Sequence, residues 1–155
     1  MKHYQLVLDQ LISAAKNELF DNKKGLFISG PKHEINIASQ VWMVLAHVLN
    51  QDDNQKLMDN VLKDLFPVHD IATPYMYHHI VMALFESNHY EEAVKLMKDY
   101  WGKMVNAGAD TFWEAFDPND PSASPYGSLS INSFCHAWSC TPVYLIRKYI
   151  TKDFD

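Results

Sequence analysis

The fold is decided by the stretch Val41-Trp42-Met43-Val44-Leu45, which lies in a helix predicted over residues 35–49. A helix that is apolar on nearly every side has no face for solvent, so we expect neighbouring elements to surround it. A second helix of this kind begins at Thr73-Pro74, because Thr is a good N-cap and Pro fits the first helical position. It stays apolar on most sides as far as Phe85. We interpret both as inner helices.

Helices with one apolar stripe and one polar face alternate with these two. They are predicted over residues 3–20, over residues 53–65 and from Glu91-Glu92 to about residue 104. A last, mostly apolar helix is placed between residues 133 and 150, where Pro142 either kinks it or marks its start. This order is typical of stacked hairpins in which outer helices enclose inner ones. The sequence therefore predicts an all-α fold of alternating outer and inner helical hairpins with toroid-like packing.

Size and charge narrow the class of protein. A chain of 155 residues has the length of one domain, so residues 1–155 are interpreted as a single domain. The net charge of −6, with basic residues standing singly or in pairs, argues against a nucleic-acid partner. The apolar runs are far shorter than the ~20 residues that a membrane span needs, so no membrane partner is expected. No secretory signal opens the sequence, which predicts a cytoplasmic protein if this is the whole product.

Glu114 is the first candidate for chemistry. It stands among Phe112, Trp113 and Phe116, just before a loop over residues 117–132 that holds three prolines and four serines. Desolvation by these rings would raise the pKa of Glu114 and suit it to proton transfer near neutral pH. The alternative is a glutamate that caps or pairs at a helix end. Loops of this length inside a compact domain are often functional.

His136 and Trp138 form the second candidate site. His136 could hydrogen-bond a sugar hydroxyl while the indole of Trp138 covers an apolar sugar face, but a histidine satisfied in the core is the alternative. Zinc could use Cys135 and Cys140, although no further ligand pair completes the four that zinc requires. A Cys-His nucleophile is disfavoured because adjacent side chains diverge on a helix, and His78-His79 fails as a metal pair for the same reason.

Other features of the sequence receive structural interpretations. Trp42, Tyr75 and Tyr77 lie on the inner helices and are interpreted as core residues, although an active-site mouth could use them for sugar stacking. Two cysteines are too few for a disulfide framework, so both are expected to be reduced. The sequence holds no phosphate-binding glycine-rich loop and no GxSxG elbow, and no cofactor is predicted.

Several of these segments together resemble the end of the catalytic domain of bacterial α-L-rhamnosidases. The resemblance is most specific in Gly108-Ala109-Asp110-Thr111-Phe112-Trp113-Glu114, which follows Tyr100-Trp101-Gly102-Lys103-Met104, and in Ser133-Phe134-Cys135-His136-Ala137-Trp138-Ser139. Upstream, Gly25-Leu26-Phe27-Ile28-Ser29-Gly30-Pro31, Ser39-Gln40-Val41-Trp42 and Thr73-Pro74-Tyr75-Met76 are similar to the preceding hairpins. The resemblance covers nearly the whole chain.

The resemblance implies an (α/α)6 barrel that hydrolyses terminal α-L-rhamnose with inversion, so a rhamnose-containing carbohydrate is the expected partner. Glu114 takes the position of the general base, His136 matches a histidine that contacts the sugar, and Trp113 and Trp138 shape the pocket. The general acid belongs to an earlier hairpin, which no part of this sequence matches. The chain is thus expected to be the C-terminal half of the barrel, with the base and without the acid.

Half a ring should leave the apolar flanks of its first and last hairpins exposed. Three explanations compete: an expressed fragment, a truncated or split gene product, or a chain that associates with itself. The chain alone is expected to be inactive. The alternative function is a carbohydrate-binding or assembly module, derived from the same barrel, that has lost catalysis.

Overall fold

The computed structural model of the chain describes residues 2–152. Six α-helices lie within these residues: α1 (Lys2–Ala14), α2 (Ile37–Leu45), α3 (Gln51–Asp64), α4 (Pro74–Glu86), α5 (Tyr90–Asn106) and α6 (Thr141–Leu145). Single π-helical turns extend α1 over Ala15–Leu19 and α6 over Ile146–Thr151. Two short strands, β1 (Phe20–Asp21) and β2 (Leu26–Phe27), pair in antiparallel fashion. The predicted all-α class is confirmed. Within the described residues, no helix combines the length and apolarity needed to cross a membrane.

Two compact units make up the chain. One consists of Met1–Val68 with Glu86–Asn88, and the other of His69–Phe85 with His89–Asp155. In the first unit, β2 packs with α2 and α3. The buried apolar side chains of this unit are Leu26, Phe27, Ile37, Val41, Val44, Val48, Leu57, Met58, Val61 and Val68.

A buried glutamine joins β2 to α2 in the first unit. The side chain of Gln40 accepts a hydrogen bond from the backbone N–H of Phe27 and donates one to the carbonyl of Phe27, each at 2.7 Å. It thereby takes the place of a neighbouring strand on the edge of β2 that faces away from β1. Because buried backbone groups without partners are costly, Gln40 allows a strand to pack directly against a helix.

Helix α1 departs from its sequence interpretation as a surface helix with a buried face. Its apolar stripe is exposed, including Tyr4, Leu8 and Leu11. The amphipathic pattern correctly predicted a helix, but a stripe shows only which face can be buried and not what buries it. The exposure agrees with the expectation that the first hairpin leaves an apolar flank open.

In the second unit, Tyr100 of α5 is the centre of the core. Its ring stacks on that of Tyr77 of α4 with 3.6 Å between centroids, and its hydroxyl donates to the carbonyl of Phe116 at 3.0 Å. Burial raises the pKa of Tyr77 to about 12, with a further contribution from the charge of Asp117, and burial likewise raises the pKa of Tyr100. Both phenols are therefore neutral at physiological pH, and Tyr100 remains a hydrogen-bond donor.

The aromatic residues of the inner helices divide between core and surface. Tyr77 is 3% exposed, so its interpretation as a core residue is confirmed. The same interpretation is wrong for Trp42 and Tyr75, which are 43% and 46% exposed. A helix whose sequence is apolar on all sides thus still presents a few large rings at the surface, and helical periodicity does not identify which ones.

The last predicted helix is much shorter than expected. Pro142 marks its start and does not kink it, because α6 begins at Thr141 and Pro142 lies in its first turn. Residues before it are irregular, and His136 caps a short 3-10 helix at Ala137–Ser139. The expectation that Cys135 and His136 lie on an α-helix is therefore wrong.

Candidate active site

Two segments of the second unit run side by side and form the frame of the site. The N–H of Glu114 donates to the carbonyl of Ser133 at 2.8 Å, and the N–H of His136 donates to the carbonyl of Phe112 at 2.9 Å. The hydroxyl of Thr111 also bonds to the carbonyl of Phe134. The two motifs that the sequence singled out, around Glu114 and His136, are thus joined by backbone hydrogen bonds.

Buried residues of the core also hold these two segments in place. The N–H of Phe116 donates to the carbonyl of Ala72, just before α4, at 2.7 Å, while the carbonyl of Phe116 accepts from Tyr100. On the other segment, the indole N–H of Trp101 donates to the carbonyl of Ser139 at 3.0 Å, and the Ser139 hydroxyl donates to the carbonyl of Trp113. Helix α5 and the residues just before α4 therefore hold the segment carrying Glu114 in place.

Every polar group of Glu114 has a hydrogen-bond partner. Its carboxylate Oε2 accepts from the N–H of Ser133 at 2.9 Å, and Oε1 accepts from the hydroxyl of Tyr126 at 2.8 Å. Its carbonyl accepts from the indole N–H of Trp138 at 2.9 Å. The side chain is only partly buried. A carboxylate held at both oxygens has a defined orientation and can still reach solvent.

These contacts reverse the expected shift in the acidity of Glu114. The backbone N–H of Ser133 lowers the pKa of Glu114 most, followed by the hydroxyl of Tyr126, and together with the nearby His136 they outweigh the effect of desolvation. Hydrogen bonds donated to the carboxylate stabilise its charged form. The prediction of a raised pKa from the surrounding rings is therefore wrong, and Glu114 is ionised at neutral pH.

His136 and Trp138 lie beside Glu114, as the sequence interpretation supposed. Their rings are 4.5 Å apart between centroids and inclined by 35°. The backbone N–H of Trp138 donates to Nδ1 of His136 at 3.4 Å, and the indole N–H of Trp138 donates to the backbone carbonyl of Glu114. The geometry thus places one imidazole and one indole beside the residue that carries the ionised carboxylate, a combination that suits the hydroxyl groups and apolar face of a sugar.

The side chain of Trp113 packs against other aromatic rings. Its ring packs edge-on against Phe116 and Phe134, with centroids 5.8 and 5.3 Å apart. Its backbone N–H donates to the sulfur of Met104, a fully buried residue of α5. These contacts tie Trp113 to the aromatic cluster that supports Glu114, and its role in shaping a sugar pocket stays a prediction.

Cys135 and Cys140 are both free and exposed. They border one cavity of about 560 Å³, together with Asp110 and Thr111. Among residues 2–152, no cluster of three or more histidine, cysteine or carboxylate side chains is arranged to hold a metal ion.

Tyr126 is the site residue that sequence reasoning missed. It lies in the loop over residues 117–132, where Ser124 donates to the side chain of the buried Asn132 at 2.7 Å and accepts from the N–H of Tyr126. The only signal in the sequence was the length of the loop, which pointed to function without indicating a residue. No local pattern connects Tyr126 to a carboxylate twelve positions earlier.

Removal of the Tyr126 hydroxyl tests this contact. In Tyr126→Phe we expect the pKa of Glu114 to rise, because the carboxylate loses one of the two donors that stabilise its charged form. The measurement is a pH titration of the Glu114 carboxyl carbon by NMR, with the resonance assigned by its absence in Glu114→Gln. Tyr90→Phe, a change at an exposed tyrosine of α5, is the control. An unchanged pKa in Tyr126→Phe would show that the hydrogen bond does not form in solution.

Comparisons with known proteins identify the family of the chain. Residues 1–150 match the family described as the bacterial alpha-L-rhamnosidase 6 hairpin glycosidase domain. A solved structure of a rhamnosidase from Klebsiella oxytoca, with rhamnose bound, is 47% identical and superposes with a TM-score of 0.88 over 95% of the chain. The chain spans 28% of the length of that rhamnosidase. A search of curated proteins found no match.

These matches confirm the expected fold class of helical hairpins and the resemblance that the motifs around Glu114 and His136 carry. The family match extends from the first residue to within five residues of the last. This chain belongs to the bacterial alpha-L-rhamnosidase six-hairpin glycosidase family.

Proposed function

We propose that this chain is the C-terminal part of the catalytic domain of an inverting α-L-rhamnosidase, and that it carries the general base but not the general acid. Glu114 is the base, and His136 and Trp138 contact the terminal rhamnose, with Trp113 supporting the pocket. The substrate is a carbohydrate that ends in α-L-rhamnose.

The observation that carries this proposal is the ionisation and hydrogen bonding of the Glu114 carboxylate. A general base must be ionised and oriented before the reaction, and Glu114 has a lowered pKa with a donor on each carboxylate oxygen. A general acid needs the opposite, a raised pKa that keeps its proton at neutral pH. The hydrogen bonds of Glu114 therefore favour the role of base over that of acid.

Inversion requires a second carboxyl group. In inverting glycosidases the acid protonates the leaving oxygen while the base activates a water molecule on the opposite face, the two carboxyl groups being about 6.5–9.5 Å apart. Since the chain spans 28% of the Klebsiella oxytoca rhamnosidase, we assign the acid to a region of such enzymes that this chain does not include.

Exposed apolar surface supports a protein partner for each end of the chain. On α1, Tyr4 and Leu11 are 78% and 64% exposed, and on the last helix Val143, Ile146 and Ile150 are exposed as well. Contiguous apolar surface of this kind marks interaction sites. The proposed partner is the remainder of the barrel, and self-association of the chain is the alternative. Sedimentation of the isolated chain as a clean monomer would exclude self-association.

The test of function compares the chain alone with a chimera in which it replaces the matching segment of the Klebsiella oxytoca rhamnosidase. We expect the chimera to hydrolyse p-nitrophenyl α-L-rhamnoside, because the remaining segment supplies the acid. The chain alone should show negligible turnover. Robust turnover by the chain alone, abolished in Glu114→Gln, would contradict the proposal that the acid is missing.

The alternative function is a carbohydrate-binding or assembly module. It is favoured by the half-buried rings of His136 and Trp138, which could contact a sugar without a second carboxylate. A folded chimera that binds rhamnose but does not hydrolyse the substrate would support this alternative.

A further inference from the structure

The carboxylate of Glu114 belongs to a closed cycle of hydrogen bonds. Ser133 donates its backbone N–H directly to Oε2, and the hydroxyl of Tyr126 donates to Oε1. Tyr126 is connected through the side chain of Ser124 to Asn132, the residue that precedes Ser133. These five residues, which we call the hydrogen-bond cycle, therefore link one oxygen of the carboxylate to the other.

Ser124 fixes the position of Tyr126 within an exposed part of the loop. Tyr126 is 43% exposed, and its backbone N–H donates to Oγ of Ser124 at 3.1 Å. The next residue, Gly127, donates its N–H to the carbonyl of Ser124, also at 3.1 Å. Because exposed loop residues are usually mobile, we expect the hydroxyl of Tyr126 to leave the carboxylate of Glu114 when these contacts are weakened.

Asn132 is the buried end of this connection. It is 7% exposed, and its Oδ1 accepts a hydrogen bond from the hydroxyl of Ser124 at 2.7 Å. Its Nδ2 is buried and makes no hydrogen bond to the part of the chain that the structure describes. A buried amide with an unsatisfied donor lowers stability, and an apolar side chain would avoid that loss. We therefore attribute the presence of an amide here to its contact with Ser124.

We propose that Asn132 and Ser124 are positioning residues, which act through Tyr126 to hold the carboxylate of Glu114 in one orientation. The inference rests on the proposed function, because orientation matters for catalysis only if Glu114 is the base. A general base works efficiently when its accepting oxygen is aimed at the proton that it removes. The long loop before Ser133 thereby receives a function, which is to orient the candidate base.

The test is the pKa of Glu114 in the full chain, measured by pH titration of its carboxyl carbon by NMR. Ser124→Ala should raise this pKa, because the hydroxyl of Tyr126 no longer stays at Oε1. Ser124→Thr keeps a hydroxyl and should restore the wild-type value. In a Tyr126→Phe background, Ser124→Ala should cause no further rise, since its effect depends on the phenol hydroxyl. Asn132→Ala should raise the pKa as well, and because Ser124 is only partly buried, its variant tests the same bond without a substitution in the core.

Ser122→Ala is the matched control, because the hydroxyl of Ser122 bonds to Asp120 in the same loop and lies outside the hydrogen-bond cycle. It should leave the pKa of Glu114 unchanged. An unchanged pKa in Ser124→Ala, or an equal rise in the Tyr126→Phe background, would overturn the positioning role.

The chimera with the Klebsiella oxytoca rhamnosidase separates this inference from the proposed function. If Glu114 is the base, the acid limb of kcat/KM in the Ser124→Ala chimera should move to higher pH, together with the pKa measured in the chain. A pKa that rises in the chain while the acid limb of the chimera stays in place would support the hydrogen-bond cycle and contradict the role of Glu114 as base.

Discussion

In the chimera with the Klebsiella oxytoca rhamnosidase, Glu114→Gln should lower kcat by about 10²–10⁴-fold, the usual contribution of a general base. Glutamine has the shape of glutamate but cannot accept the proton of the attacking water. The change should leave KM nearly unaltered, because the base acts in the transition state and not in binding the ground state. The measurement is steady-state hydrolysis of p-nitrophenyl α-L-rhamnoside at neutral pH.

The hydrogen bonds of Glu114 make this substitution a clean test. The side-chain oxygen of a glutamine can still accept from the N–H of Ser133, and its amide group can donate to the hydroxyl oxygen of Tyr126. We therefore expect the unfolding temperature of the variant to match that of the parent. Glu91→Gln, at an exposed residue in the first turn of α5, is the control and should retain full activity.

The pH dependence of the chimera gives a second measure of the same role. Activity that depends on an ionised base falls as the pH drops through the pKa of that base. Because the pKa of Glu114 is lowered from its usual 4.5, the acid limb of kcat/KM should lie below that value. An acid limb near neutral pH would show that another group acts as the base, and so would a Glu114→Gln chimera with undiminished kcat.

The sequence predicted the helices well because helix formation depends on local patterns. The start of α4 at Pro74 and the carboxylates Glu91 and Glu92 in the first turn of α5 appear as expected. The residues around His136 were interpreted as helical from their apolar content, but backbone hydrogen bonds to Phe112 and Glu114 take the place of helical ones there. Such a long-range pairing has no signature in either segment alone.

The site was predicted in the same uneven way. Glu114, His136 and Trp138 were proposed together from the family resemblance, and the structure places Trp138 in contact with both Glu114 and His136. Their roles stay predictions. The acidity of Glu114 was misjudged because rings nearby in sequence suggested desolvation, whereas the donors that decide its pKa come from Ser133 and Tyr126. The electrostatics of a carboxylate depend on partners that only the fold brings within reach.

Tyr100→Ala should be the most destabilising single change in the second unit, with a loss of about 3–5 kcal/mol in the free energy of unfolding. The side chain is 1% exposed, stacks on Tyr77 and fixes the carbonyl of Phe116, so its removal leaves both a cavity and a buried acceptor without its donor. Tyr100→Phe keeps the stacking and loses only the hydrogen bond, which should cost about 1–3 kcal/mol. Urea denaturation followed by tryptophan fluorescence measures both. Tyr90→Ala on the exposed side of α5 should change stability by only about 0.5 kcal/mol.

Because Phe116 lies two residues after Glu114, the Tyr100→Phe variant should also shift the NMR resonance of the Glu114 carboxyl carbon. An unshifted resonance would show that the core does not position the candidate base.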